Sequence, residues 1–521
     1  MTRVGVFGWG VVAPRSPNVD RFRENLKSSA SWLTPFDGFG PSNFLVGNPE
    51  FDFADYRDWI AQRFPPRRFT QLDEKMGQPV KYALGAFIQA LGQNPGIEAA
   101  LQELGTKAHV YIGTGLGDLG TIHDQTLELY HGRRNWNRFW TNPERNSAFK
   151  AYLDDPSTAG PDVPPNPDHV DPWDRSKAED VWLTYWAERS DGLRRYLEEL
   201  RAIESANVEG PVASGKGRAI KQKQARLAQL RKEWGAPEPP WSLISAELLW
   251  NIPNIAAAQI CMTGQITGTS FAPVAACSSF GFSLRLAIDA IRRGDAKAVV
   301  IGSTDPAPHP LSVGAFYEAR VLAHDGQVSK PLSGLRGTHI AGGANVWIVG
   351  DLDHFKGKGF KPLGMEPAAV GITEDADHII TPSKEGPAAA IYAALREADL
   401  KAEDIVSWDL HATATPGDAL EVENLREILP ESVLVTARKG MFGHGMSVGG
   451  GWELTAQYMS AEDGAVAPTP LSESELNAEI AKVHSNFVFD QPVALPRGPV
   501  GKLSMGVGGV NACVISQPYD D

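Results

Sequence analysis

The chain has 521 residues, 42% hydrophobic and 21% charged, which excludes a disordered protein and leaves room for more than one core-forming unit. There are 49 lysines and arginines against 63 aspartates and glutamates, a net charge of −14, so nucleic-acid binding by bulk charge is excluded. The three cysteines, Cys261, Cys277 and Cys513, form no close pair, which argues against a disulfide framework or a cysteine-rich metal site and makes a reducing cytoplasm the expected compartment.

In chain order, Thr2 to Pro14 is apolar but broken by glycines, the pattern of a first buried strand and turn and not of a signal peptide. No run approaches the roughly 20 apolar residues that span a bilayer, so no membrane span is expected. A helix is expected near Val80 to Leu91. A strand at His109 to Ile112 then opens into Gly113-Thr114-Gly115-Leu116-Gly117. The glycine spacing is not that of a dinucleotide fingerprint, and no Lys-Ser/Thr follows, so a tight turn beside a packed site is the better reading.

The stretch from about 120 to 241 differs in texture. It is polar, with Pro-rich patches at Pro161 to Pro167 and Pro237 to Pro240. It holds Trp136, Trp140, Trp173, Trp182, Trp186, Trp234 and Trp241, half of the chain's 14 tryptophans. Helices are expected at Asp191 to Ala206 and Arg218 to Trp234, and a segment this long and aromatic reads as an ordered insertion. The second helix is basic through Lys216, Arg218, Lys221, Lys223, Arg226, Arg231 and Lys232. Such a face is either a solvated surface or a docking site for an acidic partner.

From about Ser242 onward, strand and helix signals alternate with many glycines, which implies a layered α/β fold. Cys277 lies in Pro273-Val274-Ala275-Ala276-Cys277-Ser278-Ser279-Phe280, where an apolar strand-like run meets a helical spacing over Ser283 to Arg293. Gly294 ends that helix, and Ala298 to Gly302 reads as the next buried strand. A cysteine at such a junction faces the positive end of the helix dipole, which favours the nucleophilic thiolate. The alternative is a buried cysteine acting as a small hydrophobe.

Three later blocks bear on that choice. A strand-like Ile405 to Leu410 delivers His411 to a loop of small and hydroxyl residues, and a helix is expected to start at Asp418 as N-cap. Lys439 and His444 lie in the glycine-rich loop Thr436 to Gly451 before another helix. Leu503 to Val514 is a glycine turn entering a final strand. Taken singly, either histidine is a satisfied loop residue, Lys439 a solvated charge and Gly508-Gly509 a hairpin turn.

Taken together, the blocks Ala276-Cys277-Ser278-Ser279, His411-x-Thr-x-Thr-x-Gly-Asp418, Lys439-x-x-x-Gly-His444 and Gly506-x-Gly-Gly-x-Asn511 resemble those of the β-ketoacyl-acyl carrier protein synthases of the elongating, Cys-His-His type. The N-terminal Val-x-Gly-x-Gly-Val-Val-x-Pro pattern is similar too. The resemblance implies a thiolase-like α-β-α-β-α fold of two pseudo-duplicated halves with a mainly helical insertion. The halves are expected at 1–302, with Cys277 and the insertion at about 120–241, and at 303–521, with His411, Lys439 and His444.

The same resemblance implies an acyltransferase that joins an acyl thioester on Cys277 to malonyl-acyl carrier protein by decarboxylative Claisen condensation, in fatty-acid or polyketide-like biosynthesis. His411 and His444 would then bind the thioester oxygen as enolate charge develops. Backbone N–H groups of Cys277 and Val507 would form the oxyanion hole, and Lys439 would keep the imidazoles neutral. Met505, Val507, Gly508 and Gly509 would form the acyl gate and pocket. Lys221, Lys223 and Arg226 would be a carrier docking face. The expected partners are acyl and malonyl forms of a carrier protein and a second subunit, in a homodimer or alternatively a heterodimer; no cofactor and no metal are expected. Chain-initiating relatives carry asparagine where His444 stands, and Cys513 lacks the context of the second thiolase cysteine.

Departures from the family pattern keep two alternatives open. Gly343 stands where a glutamate that organises Lys439 is expected, which leaves room for a non-decarboxylating acyltransferase and for a more mobile or differently paired Lys439. Val507 replaces a gate phenylalanine, and the insertion is large, so altered acyl or carrier selection is expected. A catalytically silent partner subunit is the other alternative, against which Cys277, His411 and His444 all stand.

Overall fold

The structure is a computed structural model that describes residues 2–158, 160–205 and 212–520, with the side chains of 212–216, 218 and 219 outside the description. The chain divides into two compact units, Met1–Gly120 with Leu249–Asp521, and Thr121–Leu248.

The larger unit is built on two five-stranded sheets. The first contains β1 (Val4–Val12), β2 (Ala108–Gly113), β3 (Ser270–Phe271), β4 (Ala298–Asp305) and β5 (Gly343–Asp351), in the order β1-β5-β4-β2-β3. The second contains β6 (Glu366–Glu374), β7 (Ser407–Asp409), β8 (Leu434–Thr436), β9 (Val500–Gly506) and β10 (Val510–Gln517), in the order β6-β10-β9-β7-β8. The two orders are the same five-strand pattern. Strand sense repeats as well: β3, β2 and β4 run parallel and β5 and β1 alternate, as do β8, β7, β9 and then β10 and β6.

Nearly every strand residue of the first sheet is buried, as expected of a sheet covered on both faces. Helix α1 (Gln78–Gly92) covers its outer face, and α3 (Glu385–Ala398) covers that of the second sheet. Between the sheets lie α2 (Ser279–Arg292) and α5 (Gly449–Asp463), which contact each other and strands of both sheets. The result is the expected five-layer α-β-α-β-α arrangement. Close approach makes glycine necessary in the middle layer: a Cβ on Gly281 of α2 would lie 2.7 Å from Ala512 Cβ of β10. The outermost turn of the site comes from α4 (Gly417–Ile428).

The division expected at 302/303 falls inside β4, which pairs in register with both β2 and β5. Ladder pairing keeps β4 and β5 in one sheet with β1 and β2, so a division at 302/303 would cut that sheet.

The second unit is helical, with helices Leu119–Thr141, Ser147–Asp154, Arg175–Glu188, Asp191–Glu204 and Val212–Trp234. Its core gathers Trp136, Trp140, Ala187, Tyr196, Leu230 and Ala236, with Trp234 packed against it. Trp136 and Trp140 meet edge to face at 5.4 Å, and Trp182 and Trp186 do so at 5.8 Å. The tryptophans thus serve as core, with the exception of the exposed Trp173 and Trp241. Of the expected helical residues, Ala206 and the side chains of Lys216 and Arg218 lie outside the described residues.

Candidate active site

Cys277 sits in a single turn, Ala276–Ser278, that follows β3 and leads into α2. Hydroxyl groups hold the turn. Ser279 Oγ accepts from Ala275 N–H at 2.9 Å and donates to the Ala276 carbonyl at 2.7 Å. Ser278 Oγ lies 2.8 Å from the Val510 carbonyl and 3.1 Å from that of Ser504, tying the turn to the β9–β10 hairpin. Ala276 has φ of +45°, a conformation a non-glycine residue adopts only when its surroundings impose it.

The hairpin brings a second backbone to the sulfur. The backbone N–H groups of Val507 and of Cys277 itself both favour the charged form of the Cys277 thiol. Gly506 lets the two backbones approach closely: a Cβ would lie 3.0 Å from the Ala275 carbonyl oxygen and 3.2 Å from Cys277 N, so its neighbours would have to shift. Gly508 and Gly509 take φ of +101° and +86°, which closes the turn.

The expected thiolate is not the resting form. Burial pushes the Cys277 thiol up to about 11, against the pull of the Val507 N–H and of the Lys439 charge. Desolvation outweighs the local donors because the sulfur is buried.

His411 follows β7, and His444 follows β8. The two rings stand nearly perpendicular with centroids 5.3 Å apart. His444 Nδ1 accepts from Met446 N–H at 3.2 Å, so in the neutral ring the hydrogen-bond pattern assigns the proton to Nε2. Burial lowers both imidazoles well below the ordinary histidine value, and the Lys439 charge lowers them further, with Lys502 adding to the effect. Both rings are therefore neutral donors at neutral pH.

The loop after His411 is held by carboxylates. Glu421 of α4 accepts from the N–H groups of His411 at 2.7 Å and Ala412 at 2.8 Å. Asp418 accepts from Thr413 at 2.8 Å, Ala414 at 3.1 Å and Leu332 at 2.9 Å. Asp418 is thus not the expected cap, since Pro416 precedes α4 and the carboxylate holds the loop before it. Burial raises Glu421 to about 7 and Asp418 to about 6.

Lys439 is buried, not solvated. Its ammonium donates to the His411 carbonyl and lies 2.7 Å from Glu453 Oε1 in α5, with both side chains buried. Of the two outcomes attached to Gly343, a more mobile or a differently paired Lys439, the geometry gives the second. No side chain fits there, since φ is +147° and a Cβ would lie 2.1 Å from the Val12 carbonyl oxygen and 2.7 Å from Trp452. Glu453, 14 residues after Lys439, is the carboxylate that organises it.

Three further groups escape the sequence reading. Lys502 of β9 lies 2.8 Å from the other oxygen of Glu453. Arg438 binds Asp409 through Nε at 2.9 Å. Asp305, at the end of β4, accepts from Ser447 Oγ at 2.6 Å, Ser447 N at 2.9 Å, Leu116 N at 2.8 Å and Gly115 N at 3.0 Å, joining the first glycine loop to the turn after His444. The first glycine loop is thus a turn fastened beside the site.

One cavity is lined by Cys277, His411, His444, Met505, Val507 and Gly509 together with Thr413 and Thr415. Gly508 is turned away, its N–H bound to the Ile379 carbonyl at 2.7 Å, and Val507 is 45% exposed. In the second unit Lys221 and Arg226 are exposed, whereas the Lys223 ammonium is bound to the Glu204 carbonyl at the end of helix Asp191–Glu204. Among the described residues, no cluster of three or more His, Cys, Asp or Glu side chains could hold a metal ion, and no helix is long and apolar enough to cross a membrane.

Two family models match the chain, "Beta-ketoacyl synthase, N-terminal domain" over residues 212–353 and "Beta-ketoacyl synthase, C-terminal domain" over residues 366–472. The two models together match less than half of the chain, which is similar to the β-ketoacyl synthases there and has the fold of the solved ketosynthases. It is 31% identical to 3-oxoacyl-[acyl-carrier-protein] synthase 2 of Vibrio cholerae over 51% of this chain and 66% of that protein. It is 30% identical to nodulation protein E of Rhizobium sp. (strain N33) over 42% of this chain and 55% of that protein. In both cases the match spans less than two thirds of the relative's length. A solved complex of a type II PKS acyl-carrier protein with its ketosynthase superposes with a TM-score of 0.65 at 17% identity, covering 99% of this chain and 100% of that one, a likeness of fold.

Proposed function

We propose that this chain is a β-ketoacyl-acyl carrier protein synthase. Cys277 attacks an acyl-carrier thioester, the acyl group moves to the sulfur, and the thiol proton ends on the departing carrier thiol. A malonyl-carrier thioester then loses carbon dioxide, and the His411 and His444 imidazoles hydrogen-bond the enolate oxygen. The enolate carbon attacks the acyl-Cys277 carbonyl, whose developing oxyanion receives the Cys277 and Val507 N–H groups. Collapse releases a β-ketoacyl carrier and the Cys277 thiolate, which takes a proton from solvent to restore the thiol.

The observation that carries this reading is the convergence of one thiol, two neutral imidazoles and two backbone N–H donors on a single cavity. Such an arrangement has use for each part in a reaction that acylates sulfur and then stabilises an enolate. Carrier proteins are the partners, in line with the printed names of the Vibrio relative and of the solved complex. Lys221 and Arg226 are the docking cations, with Lys223 committed elsewhere. The chain works in the cytoplasm as a homodimer, to which the exposed edge strand β3 offers unpaired backbone.

The test uses the purified protein with acyl carrier protein and then malonyl carrier protein. Intact mass should show an acyl adduct that maps to Cys277, and carbon dioxide should be released with formation of the β-ketoacyl carrier. Ala in place of His411 or His444 should lower carbon dioxide release by about 10²–10³ while the adduct still forms. An adduct without carbon dioxide would make the protein an acyltransferase. No adduct with any acyl carrier would make it a silent subunit.

A further inference from the structure

Lys502 is a buried lysine in the middle of an apolar strand, and burying an ammonium there has to be repaid by specific partners. They are all present. Its Nζ lies 2.8 Å from Glu453 Oε2 and 3.8 Å from Asp409 Oδ1, and donates to the carbonyls of Leu410 at 3.1 Å and Leu503 at 2.6 Å. Glu453 therefore bridges two lysines, with Lys439 on one oxygen and Lys502 on the other. The two ammonium groups take consecutive carbonyls of the same strand end, Lys502 that of Leu410 and Lys439 that of His411. From the other side Glu421 takes the N–H of His411. The backbone that carries the imidazole is thus fixed at its N–H, at its carbonyl and at the carbonyl before it.

Charges of both signs surround it. Lys439, Lys502 and Arg438 bring three positive charges, and Glu453 and Asp409 bring two negative ones. Glu421 and Asp418 also face the His411 loop from α4, and His444 faces the His411 ring. Lys502 is one of the three cations of this cluster, and its removal takes away a positive charge that opposes a proton on either ring.

We propose that Lys502 is a positioning residue of the site: its ammonium, set by Glu453, holds the strand end that carries His411 and disfavours a second proton on His411 and His444. This inference rests on the roles given to the two histidines above, and it goes beyond Lys439, whose contact is to the other oxygen of Glu453.

The experiment titrates the imidazole C–H resonances of His411 and His444 in the full chain with 13C-labelled histidine, assigned by single His→Ala variants, in wild type, Lys502→Met and Lys502→Arg. Cys277 acylation and malonyl-carrier decarboxylation are measured on the same samples. In Lys502→Met both rings should take up a proton at least one pH unit higher than in wild type, because a neighbouring cation is gone. Decarboxylation should fall at least tenfold with its acid limb moved to higher pH, and the rate of Cys277 acylation should stay within about twofold. Lys502→Arg should retain the wild-type titration. If Lys502→Met does not fold, Asp409→Asn/Lys502→Met removes one charge of each sign, and it should still acylate Cys277 while decarboxylating at least tenfold more slowly.

Unchanged ring titrations in Lys502→Met, or acylation and decarboxylation falling together in either variant, would overturn the proposal. A wild type that releases no carbon dioxide would defeat the condensing reading alone, and the ring titrations would then decide the role of Lys502 by themselves.

Discussion

At Cys277, burial and hydrogen bonding pull in opposite directions. The N–H groups of Val507 and Cys277 favour the thiolate, yet burial wins and the thiol is pushed up to about 11. Its charged form is the less favoured one in the folded protein, so alkylation should be slow at pH 7. The rate of iodoacetamide labelling at Cys277, followed by peptide mapping, should climb close to tenfold per pH unit from pH 8 to 10. A rate already level at pH 8 would contradict the burial argument. The residues that sequence reading finds and misses divide along the same physical line. Cys277, His411, Lys439 and His444 stand out because each lies in a short loop of small residues beside a strand. Glu453 and Lys502 lie inside a buried helix and a buried strand, where spacing says apolar and only the neighbouring element supplies the opposite charge. A lysine in the apolar run Val500 to Met505 is itself a signal, since an unpaired ammonium cannot remain there.

At the scale of the element, the β9–β10 hairpin and α2 act as one piece. Ser278 joins the nucleophile turn to carbonyls at both ends of the hairpin loop, and Gly506 lets the two backbones touch. Gly506→Ala should push the Val507 N–H off the sulfur without unfolding the sheet. Turnover should drop by about 10²–10³, the cost of losing one oxyanion donor, with the far-ultraviolet circular dichroism unchanged. Wild-type turnover in that variant would remove Val507 from the oxyanion hole. Strand and helix types are readable from periodicity, but the extent of each half is not. The division expected at 302/303 reads β4 as the close of one half, whereas β4 pairs in register with β5, some forty residues later in the chain. Pairing between distant strands leaves no local pattern.

At the scale of the whole molecule, a chain of net charge −14 would repel the acidic carrier of the proposed reaction at long range, so its approach would depend on local cations. Lys221 and Arg226 are exposed and available. Charge reversal of both to Glu should raise KM for carrier-bound substrate several-fold at low salt and flatten its salt dependence. Activity on a carrier-free thioester should stay as it was. Equal KM at low salt would return this helix to the status of solvated surface.

The repeated strand pattern has one more consequence. Counting strands from the start of each half, Cys277 and His444 occupy the same station: each follows the third strand and precedes the glycine-bearing helix of the middle layer. His411 and the Gly113–Gly117 turn likewise share the station after the second strand. Matching corners of a mirrored scaffold have thus taken unlike chemistry, sulfur on one side and imidazole on the other. In the proposed reaction two thioester carbonyls meet, and each arrives at its own copy of the corner: the first half grips the carbon that will be attacked, the second ripens the carbon that attacks it.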